Sequence, residues 1–341
     1  MIPSALPNSP KRHLSLYNAT MRENDFIAWI TAQTPPTTAV HIGIGDDMAA
    51  IAAALPHSGG ASGANASGPL ILLKIDQALD QVHFDLAIHS PRQAGQKAVN
   101  RCLSDCAAMA CLPRAILISV ALPQAAADNF AKELFLGARD AAAVFNCPLV
   151  GGDTAIWNQR LAITIAAMGT ADHQPIQRSG AKPGDTVCVS GRLGGSILGR
   201  HMTFTPRIAF AQKLVAAAPI HSMMDISDGL AMDFPRLMAA SGCGGVVDSR
   251  RLPVHPDARK LATQDGQPAW RHALTDGEDY ELLFTLAPAD FPLLENLDPD
   301  VPVTAVGTVT ESGPLQLALP DGTVVPWPAG GWEHISRTDG L

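Results

Sequence analysis

The chain has 341 residues, 47% of them hydrophobic and 16% charged, with a formal net charge of −8. That length holds about two domains at the usual ~100–200 residues each, and the composition allows a substantial core. The acidic balance and the lack of a basic stripe argue against a nucleic-acid or membrane-surface partner, and no apolar run approaches the ~20 residues of a membrane span.

Residues 1–20 contain three prolines and several Ser and Asn but no hydrophobic h-region, so they read as a disordered leader and not a signal peptide. A first helix is expected from Glu23 to Ile30. His41-Ile42-Gly43-Ile44-Gly45-Asp46-Asp47 then brings two adjacent carboxylates behind a glycine-spaced apolar strand. Adjacent acids repel, so a fold holds them together only beside cations or with one facing water. His57 to Pro69 is Gly/Ser/Ala/Asn-rich and reads as a loop. Leu70 to Asp76 reads as a strand whose period of two puts Leu72, Lys74 and Asp76 on one face.

Ser90-Pro91 has the N-cap hydroxyl and first-turn proline of a helix start. Ala94, Ala98, Cys102 and Cys106 follow at four-residue spacing, a stripe small enough for close approach of another element. Asp105 is the one charge between Cys102 and Leu112 and must find cations or donors if buried; the alternative is an N-cap with Ser104. The six cysteines (Cys102, Cys106, Cys111, Cys147, Cys188, Cys243) lack paired CxxC spacing and read as buried thiols of a cytoplasmic protein. Ala115–Leu122 and Leu161–Gly169 read as strands, with a helix over 125–145. The chain over 21–170 thus alternates strands and helices. A second unit, 171–341, holds a strand at Thr186–Ser190, a glycine-rich bend at Gly191–Gly199, a helix after Asp225-Ile226-Ser227-Asp228-Gly229 that Pro235 interrupts or restarts, and a strand at Val301–Val309. The fold class is α/β (α+β).

The sequence has no P-loop, GxGxxG, GxSxG or HExxH motif. What stands out is single Asp residues at strand and helix ends beside glycine doublets. Hard carboxylate oxygens suit Mg²⁺, which completes its shell with water and substrate phosphate. Glycine-rich backbone can donate N–H groups to phosphate, and Arg178 and Lys182 are cations for the same ligand. The pattern suggests ATP-dependent phosphoryl transfer without a Walker motif; the alternative is Asp in ordinary caps and turns.

Seven stretches in order, Gly43 to Ala50, Asp76 to Phe84, Lys97 to Pro113, Gly151 to Thr154, Arg178 to Asp185, Asp225 to Leu230 and Gly277 to Leu282, closely resemble the thiamine-monophosphate kinase family, of the superfamily that includes aminoimidazole ribonucleotide synthetase. The resemblance covers roughly residues 21 to 335. It implies a two-domain aminoimidazole ribonucleotide synthetase-like fold, an N-terminal mixed-sheet domain for ATP, metal and dimerisation plus a C-terminal α/β domain, assembled as a homodimer. It implies transfer of the ATP γ-phosphate to thiamine monophosphate, with Asp47, Asp76, Asp105, Asp153, Asp225 and Asp228 as Mg²⁺ ligands. Gly152, Arg178 and Ser227 would contact ATP, His83 and Glu278 the acceptor, and Trp332 the thiamine rings. No residue acts as a general base: the acceptor is a phosphate monoester with a second pKa of about 6, so metal and positioning suffice.

The chain departs from the family pattern at Lys74 and Ile75, where a hydroxyl usually precedes the Asp, and at Ala155-Ile156-Trp157, where Thr-Arg-Gly is usual. An ammonium cannot ligate a metal. Lys74 would either bind phosphate directly and lower the number of Mg²⁺ ions needed, or pair with Asp76. Two further readings stay open: a relative acting on another phosphorylated acceptor, and a paralogue that binds thiamine phosphates without turnover.

Overall fold

The structure, a computed structural model, describes residues 23–34, 40–53, 70–126 and 129–331. The leader 1–20 and the loop expected over 57–69 lie outside the described residues. Helix α1 (Glu23–Gln33) belongs to a terminal unit of its own. The second unit, Pro36–Trp332, contains two sheets.

The first sheet takes β1 (Val40–Ile42), β2 (Ala49–Ala52), β3 (Leu70–Leu79), β4 (Leu112–Pro123), β5 (Leu149–Trp157) and β6 (Ala162–Ala171) in the order β1-β2-β3-β6-β4-β5. Its neighbours are antiparallel except β4 and β5. Parallel neighbours need a crossover, supplied by α3 (Phe130–Ala143), which is shorter than the helix expected over 125–145.

The second sheet takes β7 (Thr186–Ser190), β8 (Ser222–Ile226), β9 (Gly244–Asp248), β10 (Glu281–Leu286), β11 (Val303–Thr310), β12 (Leu315–Ala318) and β13 (Val324–Pro326), in the order β13-β12-β9-β11-β7-β10-β8. Around it lie α4 (Arg200–Thr203), α5 (Ile208–Ala217), α6 (Leu230–Ser241), α7 (Pro256–Asp265) and α8 (Ala269–Thr275).

Between the sheets runs α2 (Pro91–Ala108). Ser90 and Gln93 close a reciprocal capping box at its start. It packs on β3, β4 and β6, beside α3, and against α4, α5 and β8 of the second half. The stripe Ala94, Ala98, Cys102 and Cys106 is buried to 2% exposure or less. Gly95 brings α2 against α3 so closely that a Cβ there would lie 2.1 Å from the Leu134 carbonyl oxygen. A helix buried on nearly all sides must satisfy every polar side chain it carries, and α2 carries Lys97, Arg101, Ser104 and Asp105.

Helix α6 runs through Pro235 without a break, against the expected interruption. Proline removes the donor for the carbonyl four residues back. That carbonyl, on Ala231, accepts from the Trp327 indole N–H at 2.8 Å.

Candidate functional site

One loop and two strands converge on one face of α2. The β1–β2 loop turns at Gly45, whose φ of 120° suits glycine, and presents Asp46 and Asp47. Strand β3 presents Lys74 and Asp76 on its α2 side. Asp225 sits at the end of β8, where the loop into α6 begins. Residues 97, 101, 104 and 105 of α2 stand at i, i+4, i+7 and i+8, one helix face.

Asp47, Asp105 and Asp225 are buried and each offers a carboxylate oxygen within 4.8 Å of the others. Arg178 donates to Asp47 Oδ1 at 2.6 Å, and its backbone N–H is 3.3 Å from both oxygens of Asp46. Lys74 Nζ is 3.0 Å from Asp105 Oδ1. Among the described residues, the hydrogen-bond partner of the Asp225 carboxylate is the Ser104 hydroxyl, at 2.6 Å. The other oxygen of Asp47, Oδ2, is buried with no hydrogen-bond partner among the described residues. Burial, reinforced by the charge of Asp47, pushes the Asp46 and Asp225 carboxyls up to about 6. Burial also raises Asp105 well above the ordinary carboxylate range, against the pull of Lys74. An all-oxygen set with an orphaned buried acceptor and too little internal positive charge fits a hard divalent cation such as Mg²⁺.

The remaining expected ligands divide. Asp76 borders the cluster, paired with Arg101 at 3.8 Å, and its charge acts on both Lys74 and Asp105. Asp228 turns to Arg236, which also holds Asp233 at 2.9 Å. Asp153 lies on the edge strand β5, opposite Ser119 and on the Leu117 face of the sheet, which points away from α2. It is three strands from Asp76, roughly 14 Å at the usual interstrand spacing, so within this chain it does not join the cluster. Gly152 lies beside it, pressed so near β4 that a Cβ would meet the Ile118 carbonyl.

Two expectations for the cations are corrected. Lys74 does share a face with Asp76, but its ion pair is with Asp105, because the side chain reaches past β3 onto α2. Its ammonium pKa is raised: burial opposes this, and Asp105, Asp76 and Asp47 outweigh it. Lys182 stands 3.4 Å from His221, whose other ring nitrogen meets Asp185, and takes no part in the cluster. Asp105 is a helix-interior residue and not an N-cap.

At the other end of the same α2 face a cleft of about 650 Å³ opens, lined by His83, His89, His201, Glu278, Ile88 and Leu198 among others. The Leu79 N–H donates to His83 Nδ1 at 2.9 Å, which places the proton of the neutral ring on Nε2. Glu278, on the α8–β10 loop, has φ 52° and donates its N–H to the Ser227 carbonyl at 2.6 Å. Its carboxylate meets Lys97 Nζ at 2.8 Å through Oε1 and 2.9 Å through Oε2. Burial pulls the Lys97 ammonium down to about 8, partly countered by Glu278. Tyr280 stacks on Phe204 with ring centroids 3.8 Å apart. Trp332 lies outside the described residues.

Sequence reasoning missed Lys97, Arg101, Ser104 and Arg236. The signal for the first three was present: a polar stripe on α2 beside its small-residue stripe. A buried lysine in such a helix requires a carboxylate, and nothing in the sequence says that it lies 181 residues away.

Among known proteins, the family model "AIR synthase related protein, N-terminal domain" matches residues 45–171 and its C-terminal counterpart matches 167–319. The thiamine-monophosphate kinase of Rhodopirellula baltica is 37% identical over 290 residues, 84% of this chain and 89% of that one. The enzyme of Bacillus subtilis is 30% identical over 325 residues, 88% and 94% of the two chains. The solved structure of AaThiL complexed with AMPPCP and TMP superposes with a TM-score of 0.77 at 28% identity, covering 92% of this chain and 97% of that one. With the carboxylate cluster and the cleft on one helix face, and with that identity over most of its length, this chain belongs to the thiamine-monophosphate kinase family.

Proposed function

We propose that the chain phosphorylates thiamine monophosphate to thiamine diphosphate with ATP and Mg²⁺. The observation that carries the reading is the convergence of Asp47, Asp105 and Asp225 within 4.8 Å at one end of the α2 face whose other end opens on the cleft. Lys97 and Asp105 are eight residues apart, roughly 12 Å along a helix at 1.5 Å per residue. An acceptor with its rings in the cleft directs its phosphate toward the cluster.

Asp47, Asp105 and Asp225 would hold Mg²⁺, with Asp76 bordering them, and Asp228 is assigned to metal as well; bound Mg²⁺ would neutralise phosphate oxygens and stabilise the charge of an in-line transfer. The protein's own groups bind and align. Arg178 and Lys74 neutralise Asp47 and Asp105 in the protein alone, and both are cations within reach of phosphate once ATP arrives. Gly152 and Ser227 are assigned to ATP, His83, Glu278 and Trp332 to the acceptor, and Asp153 to metal. The assignment for Asp153 requires a second chain, since its own sheet points it away from the cluster. An acceptor that is already an anion needs no base, in keeping with a cluster that offers none.

The chain is assigned as a cytoplasmic homodimer, with 21–170 as the ATP, metal and dimerisation domain and 171–341 as the C-terminal domain. Dimerisation is supported by Leu73, Ile75, Leu117 and Met168, exposed together on the sheet face opposite α2. The six cysteines are free thiols, as a reducing compartment keeps them. No helix among the described residues is long and apolar enough to cross a membrane. Neither a different acceptor nor a non-catalytic paralogue is favoured, because both relatives named above are thiamine-monophosphate kinases over most of this chain.

The test is incubation of the full chain with ATP, Mg²⁺ and thiamine monophosphate, following thiamine diphosphate and ADP by chromatography. Equal formation of both is expected. ADP without thiamine diphosphate, or neither product, would reject the reading.

A further inference from the structure

Lys97 is fully buried, and it is a cation on a helix packed between the two sheets. A lysine in that position is retained at a cost unless its three donors are used. They are used on two separate parts of the chain. One proton goes to the backbone carbonyl of His83, in the loop that follows β3. The others go to both oxygens of Glu278, in the loop that precedes β10. His83 and Glu278 face each other across the same cleft. Lys97 is therefore the tie between its two walls, one from each half of the molecule.

The tie acts on a strained residue. Glu278 adopts φ 52°, a left-handed conformation that costs an ordinary residue roughly 1–2 kcal/mol relative to the right-handed one. Its backbone N–H is fixed by Ser227, but nothing in the backbone aims its carboxylate. The pair with Lys97 does, and it leaves the Glu278 side chain 27% exposed toward the cleft.

We propose that Lys97 is the positioning residue of the acceptor site: it fixes Glu278 and the His83 loop relative to each other, so that the carboxylate meets the acceptor ring in one orientation. The inference rests on the reading of the cleft as the thiamine-monophosphate site. Glu278 then works as a half of a neutral pair, donating direction to a hydrogen bond more than net charge to a cationic ring.

Calorimetric binding of thiamine monophosphate and of a non-hydrolysable ATP analogue, on the full chain, tests it with Lys97→Met, Glu278→Gln and the double variant. Each single change is expected to weaken thiamine monophosphate about tenfold, the loss of one charge-assisted hydrogen bond. The double variant should weaken it no further, because both act through one contact, and affinity for the ATP analogue should stay within about twofold. If Lys97→Met does not fold, Lys97→Gln, which keeps a donor for Glu278, takes its place: a loss of thiamine monophosphate affinity with the ATP-analogue affinity kept upholds the proposal, and unchanged affinity for both overturns it. Multiplied effects in the double variant, unchanged affinity in Lys97→Met, or equal losses for both ligands would overturn it. No binding of thiamine monophosphate by the unaltered chain would instead overturn the reading of the cleft, and the inference with it.

Discussion

The carboxylate cluster and the cleft lie at opposite ends of one face of α2 and treat buried charge in opposite ways. At the cleft, Lys97 and Glu278 meet as a pair and the Leu79 N–H donates to the His83 ring. At the cluster, Asp47, Asp105 and Asp225 crowd together, Arg178 and Lys74 answer only two of them, and one oxygen of Asp47 is orphaned. A satisfied network is finished without a ligand; an unsatisfied one stores the free energy that a cation releases on binding. The difference marks the cluster as the place where charge must arrive and the cleft as the place where shape and direction are read.

The comparison breaks most visibly at Asp105. Asp105→Asn keeps the shape of the side chain but removes one third of the converging charge and the partner of Lys74. Turnover should fall at least about a hundredfold, by analogy with the losses seen when even outer-shell partners of a metal are changed. The folded protein should persist, since burial and Asp225 already disfavour the charge that is lost. Thiamine diphosphate formation at ordinary Mg²⁺ with unchanged rate would remove Asp105 from the metal site.

Lys74 sharpens the comparison from the cation side. Its ammonium sits among Asp105, Asp76 and Asp47, whose charges hold it in its cationic form. With Lys74→Thr the cluster gains a net negative charge and a hydroxyl that can ligate. Half-maximal activity should then require several-fold more Mg²⁺, with a steeper dependence, because desolvated charge must be answered from outside. Superimposable Mg²⁺ titrations of the two proteins would show that Lys74 only braces β3 against α2.

Proton linkage separates the two ends again. Asp46 and Asp225 have pKa values near 6 in the fold, above the ordinary carboxylate value. A raised carboxylate favours the folded state at low pH, and that contribution is lost as pH rises through the folded value, between about 4 and 6. Mg²⁺ competes with those protons. The rise in Tm produced by Mg²⁺ should therefore be small near pH 5 and larger by about 1–3 °C near pH 7.5. A Mg²⁺ effect of constant size across that range would disconnect these carboxylates from the metal.

Much of the cluster was legible in the sequence, and the reason is physical. Asp47 and Asp225 stand where strands begin or end and Asp105 in the last turn within α2, next to glycine or among apolar neighbours, and a lone carboxylate in such a setting needs a cation. The β3 alternation also placed Lys74 beside Asp76 correctly. What the sequence could not supply was the third dimension: Lys74 reaches α2 and not its strand neighbour, and Asp228 is taken by Arg236 one helical turn pair onward. Asp153, which its strand turns to the face away from α2, stands apart from the cluster within one chain. At the cleft the resemblance named His83 and Glu278, but the contact between residues 97 and 278 was not legible, because a satisfied buried pair leaves no anomaly to notice. The continuity of α6 through Pro235 depends on Trp327, distant in sequence and unknowable from the helix alone.

The smallest effect is expected where the comparison says little should change. Tyr280 is buried behind Glu278, with φ 51°, its ring stacked on Phe204 and its hydroxyl 3.3 Å from Glu278 Oε1. That contact is long for an O–H···O bond, and Oε1 already has Lys97 at 2.8 Å. Tyr280→Phe keeps the stack and the backbone and removes only this third interaction. Stability should change by less than about 1 kcal/mol, since the carboxylate keeps its stronger partner. The KM for thiamine monophosphate should move less than about threefold, and the Mg²⁺ dependence not at all, because the cluster is at the far end of α2. Chemical denaturation and a KM measurement on this variant check both numbers. A large loss of acceptor affinity would mean that the hydroxyl, and not Lys97, orients Glu278, and the cleft would then be as incompletely satisfied as the cluster.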